Sequence, residues 1–409
     1  MTAHEVSAKP RSRRGPMVCI AAIAAALFVL RGLPRMREPA LFAEDGQIFL
    51  AEAHNNGASA IITPYAGYLH LIPRLIAAIL EPLPVTAAPV AYLWAAVIVH
   101  LIFLTPALSA RLAWLLPSPV LRGGLFASLC LMAPLWEPYG NIANLIFVAG
   151  LSLLLLVLGT DPARRVTRGA ELAGVGLIGL SGPLVVLFLP FFGWRWWRNG
   201  RSRHSLHVAA VAAATALVQA TVYLSSERST PGGGTLVLLA KTAGQRVGGS
   251  WLYGDADVLF GTPHPVLTAA AYLWFALVVA LTVLCLPRIA LPLWLLCVIL
   301  LYSAVNAYGP AMVSSSQAFQ RHILIPVAIC IVLLWAVIGS HGRSIPTAVA
   351  LVCLLAGGWG IVHDFAPDPY PLRPDLGPLR LCVEAGTDSC QQEIFLPGWS
   401  VDLSSRQSW

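Results

Sequence analysis

Apolar stretches long enough to cross a lipid bilayer recur along this chain, and no other feature restricts its fold as much. A spanning helix needs about 20 consecutive apolar residues, because the hydrocarbon core of a bilayer is about 30 Å thick. Only 11% of the 409 residues are charged, whereas a soluble domain carries about 25%. The mean hydropathy is +0.73. The sequence therefore predicts an all-α integral membrane protein and excludes a soluble domain.

One apolar stretch, residues 170–192, is expected to fold back on itself. Its Ser-Gly-Pro sequence at 181–183 interrupts the helix, because proline lacks the N–H group and clashes with the preceding turn. Basic clusters flank the stretch at 164–168 and 195–203, and basic loops stay in the cytoplasm. A hairpin of two short helices keeps both clusters on that side, and with nine single spans it gives about 11 transmembrane segments. The single spans are predicted at 17–33, 86–105, 121–137, 142–159, 207–224, 266–286, 289–305, 322–339 and 345–362.

The positions of the basic residues also predict an orientation. They place the N-terminal segment 1–16 in the cytoplasm and the tail 363–409 outside, with the transmembrane body 17–362 between them. A signal peptide is the alternative for the first stretch, but no small-x-small cleavage site follows its apolar stretch. Long external regions are then expected at 34–85, with interfacial helices, and at 225–265. The formal charge of +7 belongs to loops, so no nucleic-acid partner is predicted.

The eight cysteines fall into two groups. Six lie within or at the ends of apolar stretches, where cysteine behaves as a small hydrophobic residue. Cys382 and Cys390 lie in the polar tail, and an external tail is in an oxidising compartment. A disulfide between these two is predicted, with two free thiols as the alternative. No Cys/His set has zinc-binding spacing.

Two adjacent carboxylates, Glu44 and Asp45, follow the first span within an apolar segment. Adjacent side chains on a helix point in different directions. One carboxylate can therefore face a cavity while the other orients it. Helix capping is the alternative, because carboxylates favour the positive end of a helix dipole.

Residues 64–75 alternate apolar and polar side chains at roughly helical spacing. They are predicted to form a helix in the membrane interface, with Tyr65 and Tyr68 at the level of the headgroups. His70 and Arg74 are four residues apart and should share a face. That face is expected to bind an anionic lipid phosphate, with an ordinary headgroup anchor as the alternative.

The second external region contains aromatic residues beside charged ones. Trp251 and Tyr253 are followed by Asp255 and Asp257, and an aromatic face packs well on a sugar ring. The alternative is an interfacial loop whose Trp and Tyr lie at the headgroups. The tail is rich in Pro and Asp, and it is expected to be an extended segment without a catalytic role.

These features together resemble the GT-C superfamily of membrane glycosyltransferases, and its bacterial members in particular. In that superfamily a cytoplasmic N-terminus and one span lead into a long external loop with an acidic motif near its start. The resemblance covers residues 17–362. The motifs that carry it are Ala43-Glu44-Asp45-Gly46, Gly67-Tyr68-Leu69, Pro73-Arg74, Ser181-Gly182-Pro183 with Pro190, and Gln320-Arg321-His322.

The resemblance implies a sugar donor carried on a polyprenyl phosphate and a glycan or lipid acceptor of the cell envelope. It implies direct attack by the acceptor, with inversion at the anomeric carbon. Membrane lipids are the surrounding partners. The expected location is the bacterial inner (plasma) membrane, with the chemistry on the external face.

The same resemblance assigns roles to particular residues. Transfer needs a base for the acceptor hydroxyl, for which Asp45 is preferred and Glu44 is second. It also needs positive charge at the leaving phosphate, for which Arg321 and Arg74 are preferred. A divalent metal at Asp45 is left open. The remaining predicted substrate-binding residues are Tyr68, His70, Trp251, Tyr253 and His322.

Two other functions remain as alternatives. A transporter or flippase of lipid-linked saccharides fits the broken hairpin, but the chain shows no second matching half. Ionisable residues are also nearly absent from its spans, which argues against a proton-coupled pathway. A polymerase or ligase of cell-surface polysaccharide would use the same substrates and place its functional residues in later loops.

Overall fold

The computed structural model describes residues 15–227, 232–254, 264–315 and 318–404. They form a bundle of helices, in agreement with the predicted membrane protein. Among them, six helices are long and apolar enough to cross a membrane. These are Val85–Leu108, Arg203–Leu224, Pro265–Cys285, Pro287–Tyr308, Gln320–His341 and Ile345–His363.

The prediction of about 11 transmembrane segments is wrong in number. Three of the predicted spans are helices of 16, 13 and 14 residues, namely Gly15–Leu30, Pro119–Leu131 and Leu145–Leu158. At 1.5 Å per residue they extend about 20–24 Å, less than the roughly 30 Å of a hydrocarbon core. The chain leaves helical geometry at Arg31 and Met132, before the predicted spans end. Hydropathy alone therefore overestimates the length of these helices.

Arg31 shows why the first helix ends where it does. Its side chain is fully buried and donates to the carbonyl oxygens of Cys130 at 3.0 Å and Met132 at 3.2 Å. It also donates to the carbonyl oxygens of Asp364 at 3.0 Å and Phe365 at 2.8 Å. One guanidinium therefore joins the first helix, the end of a neighbouring helix and the start of the tail.

The broken hairpin is formed by helices Arg165–Gly179 and Leu184–Arg198. Glu171 in the first leg pairs with Arg195 in the second, with Oε1 and Nη1 2.7 Å apart, so the legs run antiparallel. Both basic clusters therefore lie at the same end of the bundle, as the hairpin requires. The turn lies at the other end, where the hydroxyl of Ser181 accepts a hydrogen bond from a backbone N–H of the first loop.

The first loop, residues 34–85, lies at the end of the bundle that we term the first-loop end. The predicted interfacial helix at 64–75 is only partly correct. Tyr65 and Tyr68 form a tight turn closed by two backbone hydrogen bonds, and the helix begins at Leu71. The helices of this region are Leu33–Arg37, Asp45–Leu50 (π-helical), Ala51–Asn56, Gly57–Ile62 (3-10) and Leu71–Leu80.

The region at 225–265, which the sequence predicts to be external, is helical where the structure describes it. Leu236–Lys241, Thr242–Gly248 and Gly249–Tyr253 follow one another. The first packs against Pro287–Tyr308, and the other two pack against Pro265–Cys285. The predicted interfacial loop is therefore replaced by helix up to residue 253. Asp255 and Asp257 lie outside the described residues.

The tail is folded rather than extended. Helix Gly377–Glu384 precedes two antiparallel strands, Cys390–Ile394 and Trp399–Leu403. Cys382 and Cys390 form a disulfide that joins this helix to the first strand. The all-α class therefore describes the transmembrane body but not the tail.

Two helices form the centre of the bundle. Leu145–Leu158 has 13 of its 14 residues buried, and Gln320–His341 has 15 of its 22 residues buried. The first of these is apolar on every side because protein surrounds it, which is the expected pattern for a helix inside a large core. Two further short helices are Ala110–Leu112 and Ala311–Ser314.

Candidate functional site

A polar pocket of about 200 Å³ lies at the first-loop end, beside the start of helix Gln320–His341. It brings together four residues that the sequence predicts, Glu44, Tyr68, His70 and Arg321. A carboxylate, an imidazole and a guanidinium therefore surround one small cavity. The other lining residues are Phe49, Tyr65, Ala66, Ala143, Asn144, Ile146 and Phe147.

Glu44 supplies the carboxylate of this pocket. Its Oε2 atom is buried and has no hydrogen-bond partner within the described part of the chain. Burying a polar atom without a partner costs free energy, and such atoms are rare in folded proteins. A ligand hydroxyl that donates to Glu44 would satisfy this oxygen.

Asp45 does not line the polar pocket. It is 2% exposed, and its Oδ2 and Oδ1 accept hydrogen bonds from the backbone N–H groups of Ile142 at 3.1 Å and Ala143 at 2.9 Å. Burial raises the pKa of Asp45 well above its ordinary value, while the two backbone hydrogen bonds oppose this shift. Asp45 therefore joins the first loop to the turn that precedes helix Leu145–Leu158.

Arg321 lies at the start of helix Gln320–His341 and is held by Glu137. Its Nη1 lies 3.1 Å from Oε1 of Glu137, and its backbone N–H donates to Oε2 at 3.2 Å. Its guanidinium carbon lies 5.4 Å from the ring centre of Phe147. Burial raises the pKa of Glu137 above its ordinary value, and the attraction of Arg321 opposes this shift. The pair positions a cation at the edge of the pocket.

Tyr68 and His70 form another wall of the pocket. Their rings stack with centres 4.6 Å apart, and Nδ1 of His70 lies 3.2 Å from the carbonyl oxygen of Tyr68. Ala66, in the same turn, has a φ of 51°. This left-handed conformation costs about 1–2 kcal/mol for a residue with a Cβ atom. Strained residues of this kind cluster at ligand sites.

Arg74 is not part of the pocket. It is buried, and its Nη1 pairs with Oε2 of Glu52 at 2.7 Å. The helix begins at Leu71, so His70 precedes its first turn. His70 lines the polar pocket, whereas Arg74 does not. His70 and Arg74 therefore do not form the shared binding face that their spacing predicts.

A second, apolar pocket of about 520 Å³ adjoins the polar one. The two pockets share Tyr68, Phe147 and Arg321, and His322 lies in the apolar one. No sequence signal distinguishes this pocket, since its residues resemble those that face lipid. Its remaining residues are Pro183, Leu184, Val186, Leu187, Gln219, Ala220, Tyr223, Leu224, Leu300, Ser303, Ala304, Ala307, Tyr308 and Ile325.

Trp251 and Tyr253 line neither pocket. Trp251 is 2% exposed, and its Nε1 donates to the carbonyl oxygen of Cys353 at 3.0 Å. Its ring stacks on Trp274 at 6.3 Å. The structure thus places Trp251 in the packing between helices.

Few residues of the polar pocket are of the types that bind metal ions. Among the described residues, no group of three His, Cys, Asp or Glu side chains could hold a metal ion. Of the pocket residues, Glu44 and His70 have the side chains that commonly bind metals.

Comparisons with protein-family models, curated proteins and solved structures found no match to this chain. The joined pockets themselves indicate the kind of ligand. The polar pocket has a carboxylate and a guanidinium, and the apolar pocket beside it lies among helices that are long and apolar enough to cross a membrane. An amphipathic molecule with an anionic group between a polar head and a long apolar chain fits both.

Proposed function

We propose that this chain is a membrane glycosyltransferase of the GT-C type. It moves a sugar from a polyprenyl-phosphate donor to a glycan or lipid acceptor of the cell envelope. The observation that carries the proposal is the junction of the polar and apolar pockets at Arg321. Each part of such a donor has a matching environment at this junction.

In this proposal the polyprenyl chain lies in the apolar pocket and the sugar lies in the polar pocket. The phosphate between them lies at Arg321, which lines both. A guanidinium suits this position because its planar donors match phosphate oxygens in pairs and it stays charged at any physiological pH. His322 lines the apolar pocket beside Arg321 and packs on Tyr308 at 4.9 Å.

The geometry favours Glu44 over Asp45 as the base. Glu44 has a buried, unpartnered oxygen at the pocket, whereas both oxygens of Asp45 are engaged by backbone N–H groups. Glu44 takes the proton of the acceptor hydroxyl, and the acceptor oxygen attacks the anomeric carbon. The bond from that carbon to the phosphate oxygen breaks, and the polyprenyl phosphate leaves beside Arg321. One direct displacement inverts the anomeric centre.

The proposal includes a location in the bacterial inner membrane. The N-terminus is then cytoplasmic, and the first-loop end and the C-terminus are external. The two basic clusters support this orientation, because they lie at the opposite end of the bundle and basic loops stay in the cytoplasm.

The test is transfer by the purified full chain in lipid nanodiscs. The donors are radiolabelled undecaprenyl-phosphate hexoses and pentoses, and the acceptor is a total extract of envelope glycan and lipid. We expect a labelled covalent product from the wild type and a loss of about 10²–10⁴-fold in Glu44→Gln. Glu393→Gln is the control, since Glu393 is an exposed carboxylate of the tail.

Three results bear against the proposal. The wild type could yield no product with any donor, or Glu44→Gln could retain near-normal transfer. Movement of intact donor across sealed vesicles, without a covalent product, would identify a flippase instead.

A further inference from the structure

The folded tail contacts the first loop directly behind Glu44. The backbone N–H of Ala43 donates to the carbonyl oxygen of Phe395 at 2.5 Å. The backbone N–H of Ser400 donates to Oε1 of Gln47 at 3.2 Å. Contacts from the tail therefore flank the Glu44–Asp45 pair on both sides along the chain.

Gly46 shows how closely the strands approach this segment. A Cβ atom at Gly46 would lie 2.5 Å from Cδ1 of Ile394 and 2.8 Å from Cγ2 of Val401. Both side chains come from the two tail strands and are fully buried. The strands thus occupy the space where an ordinary side chain next to Asp45 would lie.

Tyr370 connects the tail to the turn that carries Glu137. Its ring stacks on Phe395 with centres 5.0 Å apart. Its hydroxyl accepts a hydrogen bond from Nδ2 of Asn141 at 3.2 Å and one from Arg35 at 2.9 Å. Asn141 in turn donates to the carbonyl oxygen of Glu137, the residue that holds Arg321.

We propose that the tail sets the distance between Glu44 and Arg321, with Phe395 and Tyr370 as positioning residues. Phe395 holds the backbone one residue before Glu44, and Tyr370 holds the turn that carries Glu137. Their stacked rings make these two supports one unit. The effect of the tail on catalysis rests on the proposed function. Its effect on the backbone of the first loop does not.

The test measures backbone protection and catalysis in the same variants. Phe395→Ala removes the ring that stacks on Tyr370 and lies against Phe42 at 6.0 Å. We expect amide hydrogen exchange in peptides covering 42–50 to become faster in the full chain in nanodiscs. We also expect kcat to fall about 10²-fold with little change in the donor KM, as for a misplaced catalytic group.

Two further variants complete the design. Tyr370→Phe removes only the hydroxyl, so it should fold, and exchange should become faster in peptides covering 137–145. Leu381→Ala is the control, because Leu381 lies in the tail helix and is 60% exposed. It should change neither exchange nor kcat.

The outcomes decide whether the tail positions Glu44 and Arg321. Unchanged exchange near Ala43 in Phe395→Ala, together with unchanged exchange at 137–145 in Tyr370→Phe, would overturn the proposal. Faster exchange with normal kcat would also overturn it, since the tail would then support the loop without positioning the site. A wild type that transfers no sugar, with exchange as expected, would count against the glycosyltransferase function but leave the structural coupling in place.

Discussion

Nη1 of Arg321 lies 3.1 Å from Oε1 of Glu137, a carboxylate that is only 6% exposed. This pair holds the guanidinium at the junction of the two pockets before any substrate arrives. A guanidinium has five N–H donors, so Arg321 can keep Glu137 and still bind a phosphate. Glu137 therefore fixes the position of the Arg321 guanidinium, which still has donors for a second anion.

Arg321→Lys should separate charge from geometry. It keeps a cation beside Glu137 but loses the planar pair of donors that matches a phosphate. We expect the release of polyprenyl phosphate to slow by about 10²–10³-fold in a folded protein. Arg343→Lys is the control, because Arg343 is exposed beyond the other end of the same helix. Equal small losses in both variants would contradict the phosphate role.

Asp45→Asn should act mainly on stability. Whichever way the amide turns, its NH₂ group faces one of the backbone N–H groups of Ile142 and Ala143 that Asp45 now satisfies. Losing a buried hydrogen bond costs about 1–3 kcal/mol, which thermal unfolding in nanodiscs would detect. Glu44→Gln should leave the melting temperature nearly unchanged. A lower melting temperature for Glu44→Gln than for Asp45→Asn would argue against a structural role for Asp45.

The raised pKa of Asp45 also predicts how stability changes with pH. The folded state binds this proton more tightly than the unfolded state. Its stabilisation is therefore fully present below the ordinary value of 3.8 and is lost as the pH rises through the raised value. The melting temperature of the wild type should fall more steeply with rising pH than that of Asp45→Asn. Parallel curves would show that burial does not raise this pKa.

Ala307→Trp should obstruct the apolar pocket, which Ala307 lines. We expect the KM for a donor with a long polyprenyl chain to rise about tenfold, a loss of roughly 1.4 kcal/mol in binding. A donor with a very short chain should be much less affected. Leu277→Trp is the control, since Leu277 is 46% exposed and lies outside the pocket. Equal effects on both donors would exclude the apolar pocket as the site of the chain.

Trp251→Phe should test packing against sugar binding. The change removes one hydrogen bond to the carbonyl of Cys353. It should cost about 0.5–1.5 kcal/mol of stability, because Trp274 still donates to the same oxygen. The donor KM should remain unchanged, because Trp251 lines neither pocket. A large rise in KM with normal stability would restore the prediction that Trp251 contacts the sugar.

The sequence predicts the membrane class because composition alone determines which solvent the chain can occupy. It also selects Glu44 and Arg321, since an acidic pair after the first span and a basic residue opening a late span are visible as local patterns. It does not distinguish Glu44 from Asp45. That difference depends on the backbone N–H groups of Ile142 and Ala143, almost a hundred positions away.

Other features could not be predicted for related reasons. Four-residue spacing places His70 and Arg74 on one face only if both lie in the same helix. The chain forms a turn at Tyr65–Tyr68, and the helix begins only at Leu71. The apolar pocket consists of residues that local hydropathy cannot separate from lipid-facing ones. The tail strands are only five residues long each, and their packing against Gly46 of the first loop joins positions far apart in the sequence.

The buried side chain of Arg31 has a consequence for how the protein is made. Two of its four carbonyl partners belong to Asp364 and Phe365, which leave the ribosome more than 300 residues later. Until then, this charge at the end of the first helix lacks half of its partners. Final docking of the first helix must therefore wait until nearly the whole chain has been synthesised.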